Sequence, residues 1–301
     1  MSDSIHASAT AEPQSAKPVV GLAGWWHGGI RAARSLSPGA AVGVSLTAVI
    51  FLVALLADVI APGDPFAPTG AALTAPSSLH FLGTDDLGRD LFTGVVHGLR
   101  TSVIVAASVA LIALPLGVLL GSVAGILGGW VDDAIMRFTE IWQVLPRFFL
   151  ALMVIALFGP GLDRIVVVLG LTSWALLARI ARAETLSIRE REFVESARAL
   201  GASHSDVLRH HIIPHVLPAA VVYVALLLAQ VSLIEASLGF LGLSDPNAIS
   251  LGYLASQAQA FLRVAWWMWL FPGVALITLV IGFNLVADSL TDRLHIGDRE
   301  P

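Results

Sequence analysis

REREFVESARALGASHSDVLRHHIIPHVLP, residues 189–218, is a polar interval between two long apolar runs, and its reading decides the fold. Phe193, Ala197 and Leu200 recur at helical spacing as a narrow apolar stripe, with Arg191, Glu195 and Arg198 placed to pair along its flank. The spacing predicts a short amphipathic helix. Gly201 is placed to end it in the left-handed conformation, and Ser203 followed three residues later by Asp206 has the pattern of a cap opening a second helix. Pro214 and Pro218 lack the amide hydrogens of a continuous helix, so a kink or restart is expected as the chain returns to an apolar environment. Such a unit, held between apolar segments, can pass on a push from a cytosolic partner. A solvated loop that merely joins two spans would carry similar charged faces.

Of the 301 residues, 56% are hydrophobic and 13% charged, with a mean hydropathy of +0.81. A soluble domain averages about 25% charged, so this is the composition of a membrane protein. The net charge of -5 provides no global basic field and no reason to expect nucleic acid. Cysteine is absent, which excludes disulfides, thiol nucleophiles and cysteine metal sites. Residues 1–38, rich in Ala, Ser, Gly and Pro, read as a cytosolic tail whose first part is disordered. Within it, Trp25, Trp26 and Ile30 with Arg31 and Arg34 suggest an interfacial helix or plain linker. The leading segment is too long for a signal peptide, and the run that follows is of spanning length.

Apolar runs at 40–60, 103–126, 165–180, 216–241 and 265–286 are clear span candidates. A weaker one, 141–158, is interrupted by Pro146 and Arg147, leaving an apolar core shorter than the roughly 17 residues a lone span prefers. Charge arbitrates. With six spans and a cytosolic start, Lys17, Arg31, Arg34, Arg137, the arginines of 179–209, Arg293 and Arg299 lie inside, against Arg89, Arg100, Arg164 and Arg263 outside. Five spans would place the Arg-rich interval outside. The expectation is therefore an all-α membrane protein, a polytopic bundle of six transmembrane helices with both termini cytosolic. Its parts are a first span over 39–61, an extracytoplasmic loop over 62–100, a core over 101–292 containing the cytosolic loop 183–215, and a tail over 293–301. Gly117, Gly121 and Gly125 recur every fourth residue and invite close helix approach, Pro115 should bend that span, and Trp266, Trp267 and Trp269 suit an outer aromatic belt.

The residue pattern of the 189–218 interval adds a family reading. Glu195, Ala197, Gly201, Ile213 and Pro214 resemble the EAA loop of permease subunits in ATP-binding-cassette importers, with Ser196 for the middle Ala, Ile213 for Leu, and His211 at an ordinarily apolar position. His80-Phe-Leu-Gly83-Thr84-Asp85-Asp86-Leu87-Gly88-Arg89-Asp90 has the composition of an ordered polar loop, or of a helix start capped by Asp85 or Asp86. It is similar to the signature of the C-type permease subunit of dipeptide and oligopeptide importers, and the likeness, which extends to the nickel branch, runs on to Asp292. Departures are Gly239 for Ser, Gly252-Tyr253 for a Trp-Gly neighbourhood, and Ala287 for Gly.

The resemblance implies a type I importer permease in the inner membrane of a bacterium. This subunit would form half of a pore for di- or oligopeptides, or for nickel or another small solute. Its implied partners are a related B-type permease, one or two ATPase subunits and an extracytoplasmic substrate-binding protein, all amid membrane lipid. Phe193, Glu195, Ala197, Arg198, Leu200, Gly201 and Pro214 would couple to the ATPase, and the Gly83, Thr84, Asp85, Gly88, Arg89 and Asp90 loop would face outward. Lys17 is the only lysine, so no Gly-rich phosphate loop ending in Lys exists, and ATP and Mg belong on the partner. No catalytic residue and no cofactor of its own is expected.

Among intramembrane polar residues, Glu235 either lines the pathway or pairs within the bundle, while Gln230 and Asn284 either join helices or line the route. His204, His210, His211 and His215 cluster, but Pro214 intervenes and no third ligand has metal-site spacing, so a surface facing a partner or anionic headgroups is the better account. An ion-coupled carrier acting alone would need midplane ionisable residues and broken helices in paired repeats, which the sequence lacks.

Overall fold

The computed structural model describes residues 38–297; the expected N-terminal tail with its interfacial helix, and residues 298–301, lie outside them. The described chain is helical, with only two isolated β-bridges, both within residues 68–90. Helix α1 (Pro38–Leu55) is followed after a break at Leu56 by the short α2 (Ala57–Ile60). A long loop leads to α3 (Leu91–Leu127), which runs through Pro115 and ends at Gly128 with φ 64°. Helices α4 (Gly129–Val144) and α5 (Arg147–Phe158) meet at 72°. The reason is local: the residue before a proline is pushed out of the helical region, and Leu145 is extended at ψ 117°. Helices α6 (Leu162–Ile188), α7 (Glu192–Ala199) and α8 (His204–Val207) follow. A π-helical turn (Leu208–Ile212) then leads into α9 (Ile213–Phe240), and α10 (Leu251–Ala258) and α11 (Trp266–Gly297) complete the chain.

Among the described residues, α3, α6, the run His204–Phe240 and α11 are long and apolar enough to cross a membrane, and the bent α4–α5 pair makes a fifth if taken as one span. The expected count of six therefore depends on that pair and on the shorter apolar helix Ala41–Leu55. At about 1.5 Å per residue the latter falls short of a hydrocarbon core roughly 30 Å thick.

The bundle is built on α3. It packs most extensively on α6 and then on α9, while α11 lies between α9 and α1. The glycine stripe explains the first contact: a Cβ on Gly121 would lie 2.1 Å from the Ala178 carbonyl oxygen, one on Gly117 2.4 Å from Leu177 Cβ, and one on Gly125 2.7 Å from Thr185 Cβ. In lipid, where no hydrophobic effect drives helices together, such backbone-to-backbone approach supplies the dispersion energy of association. One core cluster joins α3, α5, α6, α7 and α9 through Val109, Ala151, Leu169, Val194 and Leu227; a second joins α1, α3, α9 and α11 around Phe283.

Candidate coupling site and outer loop

The amphipathic unit forms as its sequence directs. Helix α7 ends in left-handed Gly201 at φ 91°, whose amide donates to the Arg198 carbonyl at 2.9 Å while Ala202 N donates to Ala197 O at 3.0 Å. Ser203 and Asp206 close a reciprocal capping box at the start of α8. The expected restart at the prolines takes a mild form: a π turn over Leu208–Ile212 gives way to α9 at Ile213, while the helical path as a whole continues from His204 to Phe240. The wider π turn precedes Pro214, which sits in the first turn of α9, so the ring avoids the carbonyl clash of a regular helix.

Of the predicted stripe, Leu200 is 89% exposed, Phe193 37% exposed and Ala197 half-buried. Glu195 and Arg198 are exposed, and among the described residues neither pairs with the other or with Arg191, contrary to the flank expected from spacing. The back of the unit is anchored by residues the stripe did not include, Val194 and Val207, which are fully buried with Ile212. Phe193 turns back onto the chain, its ring stacked on His215 at 5.4 Å and tilted against His211 at 5.9 Å. The arrangement is a rigid base with a polar, partly apolar tip.

The loop between α2 and α3 is knitted onto its own chain. Thr84, fully buried, donates from Oγ1 to Ala71 O at 2.7 Å and accepts from Thr74 N at 2.9 Å, and its carbonyl accepts from Trp267 Nε1 at 3.0 Å. Trp267 is thus a buried strut, while Trp266 and Trp269 stay exposed as a belt would require. Asp85 Oδ1 accepts from Leu87 N at 2.9 Å and Arg89 N at 2.8 Å, turning the chain, and burial pushes its carboxyl above the ordinary 3.8 against those two bonds. The helix cap is Asp90, which accepts from Thr93 N at 2.9 Å and meets His80 Nδ1 at 3.0 Å; neither Asp85 nor Asp86 caps α3. Gly83 and Gly88 have φ of 82° and 74°, and a Cβ on Gly88 would lie 2.2 Å from Gly70 O. Arg89 lies over the Phe66 ring at 5.3 Å and donates to the Tyr253 hydroxyl at 3.1 Å, binding the loop to α10. The large apolar residues left exposed in this loop are Leu79, Phe81 and Leu87, to which the sequence reading gave no role.

Glu235 is buried at 2% exposure and accepts from Ser102 Oγ at 2.9 Å, so it joins α9 to α3. Asn284 donates to Val280 O of its own helix at 2.8 Å and, among the described residues, bonds to no second helix; Gln230 is exposed on α9. Along the same face, a cavity of about 380 Å³ is lined by Phe148, Leu233, Ser237, Phe240, Leu251 and Leu276 among others. The departures Gly239 and Gly252 abut: a Cβ on Gly239 would lie 2.9 Å from Gly252 Cα, and one on Gly252 2.4 Å from Ala236 O. These glycines let α10 lie directly on α9.

Residues 117–295 match the family of binding-protein-dependent transport system inner membrane components. The chain belongs to that family. It is a permease subunit of an ABC importer of the dipeptide, oligopeptide and nickel branch. This permease is 34% identical to the dipeptide transport system permease protein DppC of Alkalihalophilus pseudofirmus over 85% of its own length and 84% of that protein's. It is equally 34% identical to the nickel transport system permease protein NikC of Escherichia coli (strain K12), over 83% and 91% respectively. A chain of the inward-facing MetNI methionine ABC transporter shares the fold, with a TM-score of 0.56 at 18% identity over 68% of this chain and 97% of that one.

As an ABC permease the chain is non-catalytic, and the ATPase is a separate subunit. The permease's anchoring residues escaped the sequence reading for one reason. Val194, Ser102, Tyr253 and Trp267 are ordinary residue types in ordinary places, and only their partners give them a role. Paired β-branched Val194 and Val207 in an otherwise polar interval were the one legible signal.

Proposed function

We propose that this permease moves di- or oligopeptides inward as one half of a heterodimeric pore, driven by ATPase subunits that grip the α7–α8 unit. The observation that carries the reading is that unit's build: an exposed tip at Leu200, a left-handed turn at Gly201 that only glycine takes without strain, and a back locked by Val194 and Val207 into the core shared with α3, α6 and α9. A push on the tip is thereby delivered to the helices themselves, the condition for rigid-body rocking between two access states. Glu195 and Arg198 set register at the rim of the ATPase cleft, and small Ala197 with Gly201 permits close approach. A B-type sister permease faces Gln230 and the α9–α11 surface, and a substrate-binding protein meets the outer loop. The positive-inside bias supports cytosolic termini and the division into tail, first span, outer loop and core proposed from the sequence.

Peptide as cargo is supported by the apolar cavity, whose lining holds no carboxylate or imidazole for a divalent cation and suits organic side chains. The similarity to a nickel permease keeps the metal ion as the competing cargo. The test is uptake into proteoliposomes containing the complex purified with its companion subunits. ATP-dependent accumulation of radiolabelled dialanine is expected; accumulation of ⁶³Ni²⁺ in its place rejects the peptide assignment, and uptake by this chain alone without nucleotide rejects the subunit assignment.

A further inference from the structure

The α7 helix is held by little besides side chains. Among the described residues no backbone hydrogen bond and no ion pair joins it to α9. Its ends are turns, at extended Arg191 and at Gly201 with φ 91°. Val194 and Ile212 are buried in one cluster and fix the separation, but aliphatic packing of one residue leaves rotation about that point free. A second contact is aromatic. Phe193 meets two imidazoles, stacked on His215 at 28° and tilted against His211 at 50°. His215 Nδ1 donates to the His211 carbonyl at 2.6 Å, which fixes its ring across the mouth of the π turn. His211 belongs to that turn and His215 to the first turn of α9, so the two rings are one helical turn apart on one face.

We propose that His211 and His215 are positioning residues that clamp the Phe193 ring and so make α7 and the foot of α9 rotate as one body. The π turn brings both rings to the side on which Phe193 arrives. The clamp rests on the reading of α7–α8 as the ATPase contact, and it assigns Phe193 inward to this chain, leaving Leu200 as the apolar residue offered to the partner.

The test has two readouts on the complex purified with its companion subunits. One is the spread of distances between spin labels on Ala199→Cys and Val221→Cys, in a chain with no native cysteine. The other is the ATP hydrolysed per radiolabelled dialanine taken up. Phe193→Ala and His215→Ala should each broaden the distance distribution and raise the ATP consumed per dipeptide about threefold, the scale set by one lost aromatic pair. His215→Phe keeps a planar ring and should restore both readouts, whereas Phe193→Leu keeps bulk without a ring and should not. An unchanged spread and ratio in His215→Ala, or equal impairment in His215→Ala and His215→Phe, overturns the clamp. If His215→Ala fails to assemble, Phe193→Leu at its half-exposed position decides by the same readouts. Absence of any co-purifying ATPase overturns the underlying reading instead, and the label spread, which needs no nucleotide, still decides the clamp.

Discussion

Asp85 shows how much one side chain in the outer loop depends on its surroundings. Its sequence position suggested a helix cap, yet Asp90 takes that role because the turn held by Gly88 delays the first helical residue to Leu91. Desolvation raises the Asp85 carboxyl above 3.8, so the folded loop holds that proton more tightly than the unfolded chain does. Stability from this group is fully present below 3.8 and is lost as pH rises through the raised folded value. Asp85→Asn keeps an oxygen to accept from Leu87 N and Arg89 N and removes the charge. The variant's melting temperature, relative to the parent, should therefore climb as pH goes from about 4 to about 8, read by tryptophan fluorescence; a difference independent of pH contradicts the burial argument. At Gly201 the constraint is backbone alone, since an added Cβ meets nothing within 4 Å. Gly201→Val should cost about 1–2 kcal/mol of left-handed strain in the α7–α8 turn. Uptake per ATP should fall while the spans still assemble, and Glu195→Lys should do likewise by reversing the rim charge. Undiminished uptake in either variant would detach this turn from coupling. Gly201 and the capping box were legible because caps act within one turn; Phe193's inward ring was not, because spacing cannot say which neighbour a stripe residue meets.

At the level of elements, the α3–α6 contact was written in the spacing of Gly117, Gly121 and Gly125, and the structure supplies the partner. Gly121→Val would drive carbon into the Ala178 carbonyl, a backbone atom that cannot swing away as a side chain could. Destabilisation of at least about 1–3 kcal/mol is expected, visible as a lower melting temperature and loss of monodisperse complex, and a neutral result would mean the helices do not approach this closely. Glu235 ties α9 to α3 through the Ser102 hydroxyl. Glu235→Gln preserves bonding to Ser102 and should retain assembly, while Glu235→Ala strands that hydroxyl and should cost about 1–3 kcal/mol; equal stability of the two would show that the bond holds nothing. The expected helix over 141–158 instead bends by 72° at Pro146, a break its proline foretold but whose angle depends on packing against α6.

For the whole molecule, topology is the property most open to a direct test. With no native cysteine, Leu87→Cys and Leu200→Cys place single thiols at two exposed sites on opposite sides of the proposed bundle. An impermeant maleimide should label the first only from outside and the second only from the cytosol, and reversed labelling inverts the orientation. The sequence by itself determined the class of the molecule and its local devices: apolar runs, the amphipathic α7, the caps of α8, the glycine face of α3. Each follows from periodicity or backbone preference within a few residues. Only the tertiary structure decided that Thr84 and Arg89 of the Gly83–Asp90 motif are bonded to Trp267 and Tyr253 and that Glu235 is a tie between helices. Their partners lie far along the chain, Ser102 at 133 residues from Glu235 and Trp267 at 183 from Thr84. Such pairings arise from the packing of whole helices, which no local pattern encodes.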